Sequence, residues 1–294
     1  MKAARFATGG LLSGGAGLLI AAAAAAHGAR YVVPYRPVVE RITVAVPPGH
    51  EGLAGCRLAF LSDTHVGPFV SPAQLTVAVN LAVAESPDLV LLGGDYISEA
   101  PRFADDAARA LAPLARAAPL GAVAVLGNHD LVFGGPEVTR ALEDIGIEVL
   151  RNRAVAVTTS SGTFWIAGID DAMVGNPDPV ATVAPIPPGA AILALWHEPD
   201  GAAEVATVGA FVQLSGHSHG GQVRLPGIGP VALPPGGRRY PIGLNHVDGM
   251  PVYTSRGVGI YRPPMRINCP PEITLVTLTA PKPESAVANP TGIR

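Results

Sequence analysis

Cysteine is scarce in this 294-residue chain, with only Cys56 and Cys269. They form no CxxC pair and neither stands beside a histidine cluster, which excludes a thiolate metal site. Whether the two sulfurs pair is not fixed by sequence, because spacing alone does not place them within bonding distance. Charge is also sparse: Asp, Glu, Lys and Arg make up 15% of residues and the net charge is −3, so the chain has no basic footprint. Nucleic acid is therefore not an expected partner. No internal repeat organises the 35 glycines and 30 prolines, which excludes collagen-like and solenoid architectures. No protein partner is evident.

What is abundant is apolar residue, at 48% of the chain, enough for one well-buried core. The first thirty residues stand apart. Lys2 and Arg5 precede a run from Phe6 to Gly28 without a charged residue. That run exceeds the roughly 20 residues a spanning helix needs. Ala24–Ala26 also offers a small-residue cleavage site. Residues 1–30 thus read as a signal anchor or a removable signal peptide, 31–280 as the functional domain and 281–294 as a disordered tail. Lys2 and Arg5 favour a cytoplasmic N-terminus, although Arg30 and Arg36 weaken the asymmetry. The expected location is membrane-associated with the domain outside the cytoplasm, or secreted if the segment is cleaved.

Five short apolar runs stop abruptly at polar clusters. "CRLAFL" leads into Ser62-Asp63-Thr64-His65, "PDLVLL" into Gly93-Gly94-Asp95, and "GAVAVL" into Gly127-Asn128-His129-Asp130. "AAILALW" leads into His197-Glu198, and "GAFVQLS" into Gly216-His217-Ser218-His219. Runs of this length, rich in Val, Leu and Ile, predict buried strands. Between them lie three predicted helices: one after Ser71 as N-cap with Pro72 at N1, one over "RFADDAARALAPLARAA", and one over "PEVTRALEDIG". Alternating strands and helices predict an α/β fold whose ligand site lies beyond the carboxyl ends of the strands. All five polar clusters fall there, at one sheet edge. Beyond His219 the chain reads as a Pro/Gly-rich loop with hairpin pieces, then two closing strands in "PVYTSRGVGI" and "EITLVTLT".

Five of the eight histidines lie in these clusters, beside Asp63, Asp95, Asn128 and Asp130. A single histidine is more often structural than a ligand; five concentrated at strand ends point to a metal site. Carboxylate, imidazole and amide donors without sulfur suit Mn, Fe, Zn or Mg.

The order D-x-H, G-D, G-N-H-D, H, G-H-x-H resembles the calcineurin-like metallophosphoesterase family. "SDTH", "GGD", "GNHD", "WHEPD" and "GHSHGGQ" match in sequence over residues 57 to 223. "NCPPEITLVTL" and the hydrophobic N-terminus resemble its bacterial membrane-associated branch. The resemblance implies a two-sheet β-sandwich core flanked by helices (αββα), with an N-terminal hydrophobic helix. It implies two divalent ions, Mn2+ first with Fe, Zn or Mg as alternatives. Asp63, His65 and His219 would hold one, Asn128, His197 and His217 the other, and Asp95 would bridge. A hydroxide between ions about 3.5–4 Å apart would be the nucleophile. With two carboxylates and that hydroxide the ions keep a net positive charge, attractive to a phosphoester. His129 would stand at the leaving group with Asp130 orienting it, the competing reading of Asp130 being a helix cap. Trp196 departs from the family pattern, where a small or polar residue often precedes the histidine, and leaves the local pocket shape open.

The implied activity is hydrolysis of a phosphodiester or pyrophosphate-type bond, with a lipid-linked substrate suggested by the N-terminal segment. Two other readings compete. One is a membrane-tethered metal-binding scaffold without turnover; the other is a dinuclear hydrolase of amides or lactones, against which GNHD argues. Arg238 and Arg239 are candidates for a distal phosphate or anionic headgroups, or else a solvated loop pair. Val132 and Phe133 read as a wall of the site or as core.

Overall fold

The computed structural model describes residues 21–281. Residues 21–31 form a helix, α1. Among the described residues no helix is long and apolar enough to cross a membrane. The expectations for residues 1–30 and 281–294 fall mostly outside the described range.

Two six-stranded sheets form the centre. In the first, the order is β1 (Val38–Ala45), β14 (Glu272–Thr279), β2 (Arg57–Leu61), β3 (Leu89–Leu92), β4 (Ala122–Ala124) and β5 (Ile147–Val149). In the second it is β12 (Gly243–Val247), β13 (Met250–Thr254), β9 (Val212–Ser215), β8 (Ala191–Leu195), β7 (Gly162–Gly168) and β6 (Arg153–Thr159). Strands β2, β3, β4 and β5 run parallel, as do β7, β8, β9 and β13. A two-stranded ribbon, β10 (Arg224–Leu225) with β11 (Gly229–Pro230), lies outside both.

Side-chain alternation along each strand separates three apolar layers. Leu58, Phe60, Leu89 and Leu91 turn toward Phe164, Ile166, Leu193 and Leu214, filling the space between the sheets. Ala59, Leu61, Val90 and Leu92 turn the other way, against Leu75 and Val79 of α2 (Pro72–Ala84) and Leu111 and Leu114 of α3 (Ala104–Ala117). The same layer receives Val138 and Leu142 of α4 (Asn128–Glu143). Beyond the second sheet, Ala167, Ile192, Ala194 and Val252 pack on Ala202 and Val205 of α6 (Ala202–Thr207). A short α5 (Pro179–Val183) precedes β8. This is the αββα sandwich.

Helix α2 begins where the sequence places it. Ser71 Oγ accepts from Gln74 N at 3.3 Å while Gln74 Oε1 accepts from Ser71 N at 2.7 Å, a reciprocal capping box. Helix α4 bends at a non-helical Gly134: the segment with Pro136 near its start forms where the sequence places it, and a preceding turn from Asn128, not expected, is joined to it. The GNHD cluster is therefore the first turn of a helix, not a loop preceding one.

The five expected strands form, but they divide between two sheets rather than one. Strands β2, β3 and β4 belong to the first sheet and β8 and β9 to the second. Their carboxyl ends meet at a common edge. Trp196, the departure from the family pattern, stands at that edge between β8 and His197, but its side chain is 2% exposed and packs into the outer layer of the second sheet. Its indole lies against Gly201, leaving no room for a Cβ there. The pocket is thus not shaped by Trp196.

Phe60 carries the contact between sheets and is fully buried. Phe60→Ala is expected to lower stability by about 3–5 kcal/mol in denaturant titration, whereas a loss below 1 kcal/mol would show that the sheets do not depend on it.

Candidate metal centre

The residues that end the parallel strands depart from strand geometry at once. Five of the seven candidate ligands have left-handed backbone: Asp63 (φ 56°), His65 (48°), Asp95 (58°), His217 (66°) and His219 (52°). Such conformations cost non-glycine residues about 1 kcal/mol or more each. The sharp reversal they allow turns successive ligands toward the same point. Gly94 (φ 95°) makes the approach of neighbouring loops feasible, because a Cβ there would stand 2.6 Å from Gly127 N and 2.8 Å from His197 Nδ1.

Asp63, His65, Asp95, His197, His217 and His219 are all buried, and Asn128 is partly so. His65 Nε2 and His219 Nε2 lie 2.9 Å apart, and His219 Nε2 is 3.4 Å from Asp63 Oδ1. On the other side His197 Nε2 is 3.3 Å from Asp95 Oδ2, which is also 3.6 Å from His65 Nε2. The two clusters Asp63–His65–His219 and Asp63–Asp95–His197 each bring three donor atoms within 4.8 Å of one another. His65, Asp95 and His129 form a third such group.

Outward hydrogen bonds settle which imidazole nitrogen faces in. A carbonyl only accepts, so His197 Nδ1 donates to Gly93 O (2.6 Å) and His217 Nε2 donates to Pro235 O (2.7 Å). In the neutral ring the other nitrogen then bears a lone pair. His65 Nδ1 meets Ser98 Oγ at 2.8 Å in the same outward sense. Such outer contacts orient metal-binding imidazoles. His197 Nε2 and Asn128 Oδ1 are buried without a hydrogen-bond partner. Close-set nitrogen and carboxylate atoms, together with the unpartnered His197 Nε2 and Asn128 Oδ1, suit divalent cations.

Electrostatics tell the same story. Burial pushes Asp63 up to about 6 and pushes His65 down to about 3 and His217 to about 4. These imidazoles are neutral near pH 7, as ligands must be. Burial works against ionisation of Asp95 too, yet the adjoining His197 and His65 hold it well below the usual carboxylate range. For His197, burial is outweighed by Asp95 and Asp63, so its pKa rises well above the ordinary value. The pair demands a positive charge at that spot.

Asp130 does not orient the His129 ring. Its buried carboxylate accepts from four backbone N–H groups: Asp95 (2.7 Å), Tyr96 (2.8 Å), Ile97 (3.2 Å) and Gly127 (3.0 Å). A third residue into α4, it caps that helix and ties the β3 loop to it. The competing helix-cap reading is the one the geometry fits. His129 Nδ1 is left without a partner, while its backbone N–H donates to Asp95 Oδ1 at 2.8 Å. The ring stands edge-on to Tyr261, centroids 4.3 Å apart. Arg238 and Arg239 are exposed, and their backbone N–H groups donate to Asp200 at 2.9 and 2.8 Å. Val132 is 58% exposed, whereas Phe133 packs on the helix-side core. Both cysteines are free.

Sequence reading missed Arg266. It is fully buried behind His219, its guanidinium 3.5 Å from His219 Nδ1 and donating to the carbonyls of Arg256, Gly257, Gly259 and Cys269. Those carbonyls belong to the loop that closes on Asp63, where Gly259 N donates to Asp63 O. Nothing in "MRINCP" distinguishes that arginine from a surface one. Tyr261 was likewise unmarked.

A family model described as calcineurin-like phosphoesterase matches residues 56–221. This chain belongs to that family. It is 33% identical over 275 residues to the uncharacterized metallophosphoesterase YkuE of Bacillus subtilis, covering 91% of this chain and 96% of that one. It is 35% identical over 238 residues to the phosphodiesterase YaeI of Escherichia coli, covering 78% and 84%. A metallophosphoesterase of Aquifex aeolicus is 30% identical over 250 residues, covering 82% and 91%. As a calcineurin-like phosphoesterase the protein is a metal-dependent phosphoric ester hydrolase, and its clustered Asp and His residues suit divalent metal ions.

The two neighbours in GNHD separate in one experiment. Asp130→Asn should lower stability by about 2 kcal/mol or more, since an amide nitrogen would face backbone donors, and should reduce bound metal. His129→Ala should keep metal content, measured by elemental analysis, at the wild-type level. Metal lost from His129→Ala would instead make His129 a ligand.

Proposed function

We propose that the centre binds two divalent ions and hydrolyses a phosphodiester or pyrophosphate-type bond. The observation that carries this reading is the position of Asp95 Oδ2, which lies between His197 Nε2 at 3.3 Å and His65 Nε2 at 3.6 Å. A carboxylate placed between imidazoles of two separate donor sets is suited to serve both. Asp63, His65 and His219 are assigned to one ion, Asn128, His197 and His217 to the other, and Asp95 to both. Asp63 also reaches the Asp95–His197 group and reinforces the shared centre. Mn2+ is the assigned metal, with Fe, Zn or Mg as the alternatives that an oxygen and nitrogen donor set admits.

Paired divalent ions in such a site supply an activated water and stabilise charge on the transferring phosphoryl group. The protein's own residues hold the geometry. Gly93 O, Pro235 O and Ser98 Oγ fix three imidazoles, and the Asp130 carboxylate fixes the Asp95 turn. His129, at the mouth of the site and free at Nδ1, is the group placed to protonate the departing oxygen. Burial of the remaining ligands excludes bulk water and strengthens each of these interactions.

The phosphodiesterase name of the YaeI relative supports the diester preference. The uncharged run from Phe6 to Gly28 supports a membrane-associated protein, its domain outside the cytoplasm, acting on a lipid-linked phosphoester.

The full chain supplied with Mn2+ should hydrolyse bis(p-nitrophenyl) phosphate and lose that activity on chelation. Asp95→Asn should reduce kcat about a hundredfold or more. Undiminished turnover by Asp95→Asn would contradict the shared-carboxylate assignment.

A further inference from the structure

The metal centre opens into a cleft of about 670 Å³, within the range of small-molecule sites. Its floor includes Asp95, Asn128 and His129. One wall is Val231, Leu233 and Pro234, and the other is Tyr261, Pro263 and Met265. Val231 is 61% exposed although it faces this cleft. Among the described lining residues the one arginine or lysine is Arg262, whose Nη2 donates to Glu99 Oε1 at 2.8 Å and whose guanidinium lies over the Phe69 ring.

The second wall is held in place rather than free to collapse. Gln222 Nε2 donates to Pro263 O at 3.0 Å, and Gln222 Oε1 accepts from Tyr261 N at 2.8 Å. Gln222 closes the same GHSHGGQ segment that carries His217 and His219, so one stretch of chain sets both the ligands and the wall. Tyr261 then packs edge-on against His129. Metal centre, proton donor and apolar wall are continuous.

Charge decides what fits. A phosphodiester carries one negative charge, which the ions at the floor meet. A second phosphate lying along the cleft would lie against Val231, Leu233, Pro263 and Met265, with no unpaired arginine or lysine among the lining residues to receive it. An aryl or alkyl group in the same place gains from burial.

We propose that this cleft receives an uncharged apolar arm of a phosphodiester, an aryl or alkyl group, and discriminates against substrates with a second phosphate there. The inference rests on the phosphodiesterase reading above and specifies its substrate class.

The test uses the full chain with Mn2+ and three p-nitrophenyl diesters that share a leaving group: methyl, phenyl and hexyl. A nucleoside diphosphate sugar competes as inhibitor. The phenyl or hexyl ester should have a KM about tenfold or more below the methyl ester, the lower of the two identifying an aryl or an alkyl arm. The nucleoside diphosphate sugar should compete poorly. Leu233→Asp should raise the KM of the favoured ester by a similar factor, with metal content as in the wild type. Equal KM values for all three esters, or strong competition by the diphosphate, would overturn the apolar-arm inference while leaving the phosphodiesterase reading intact. No turnover of any ester would overturn both.

Discussion

Everything at the strand ends answers to one electrostatic constraint: two carboxylates, Asp63 and Asp95, are buried within reach of three buried imidazoles, His65, His197 and His219. Buried anions require cations or protons, and the imidazoles here are directed inward by bonds on their outer nitrogens. The two sheets bring these groups together from opposite sides. Asp63, Asp95 and Asn128 follow β2, β3 and β4, while His197, His217 and His219 follow β8 and β9. The sandwich is thus the frame that brings one half of the donor set to the other, and the αββα layering holds the separation fixed.

Concentrating the ligands has a backbone cost. Left-handed conformations at five ligand positions are destabilising taken alone, and they persist because neighbouring bonds fix them. Asp130 gathers four N–H groups around the Asp95 turn, His217 N donates to both oxygens of Asp63 at 3.0 and 3.1 Å, and Arg266 clamps the loop that closes on Asp63. Polar residues around the candidate ligands therefore hold their backbone in place.

The sequence made the site more legible than the frame. Strands β3, β4 and β8 are continuous apolar runs because both of their faces are covered, β2 is one after Arg57, and β9 is buried on both faces although Gln213 and Ser215 interrupt it; each ends at a polar cluster. Strands β1 and β6 escaped notice because they are sheet edges with half-exposed, polar-interrupted sequences such as "VVERITVA" and "RAVAVTT". The split into two sheets comes from β2, β3, β4 and β5 pairing in one set and β7, β8, β9 and β13 in another, which apolar runs do not reveal, so an apolar-run reading places all five clusters on one edge. Asp130 shows a different limit. A carboxylate next to a histidine in sequence suggests a side-chain pair, yet adjacent residues in the first turn of α4 point in different directions, and the backbone amides claim Asp130. Arg266 and Tyr261 lie outside every motif, and only the closing of the 256–269 loop brings them to the centre.

Anomalous diffraction from crystals of the Mn2+-loaded protein tests the two-ion centre most directly. Two peaks are expected, one bounded by Asp63, His65 and His219 and the other by Asn128, His197 and His217, with Asp95 touching both. A single peak, or a second ion coordinated by His129 in place of Asn128, would contradict it.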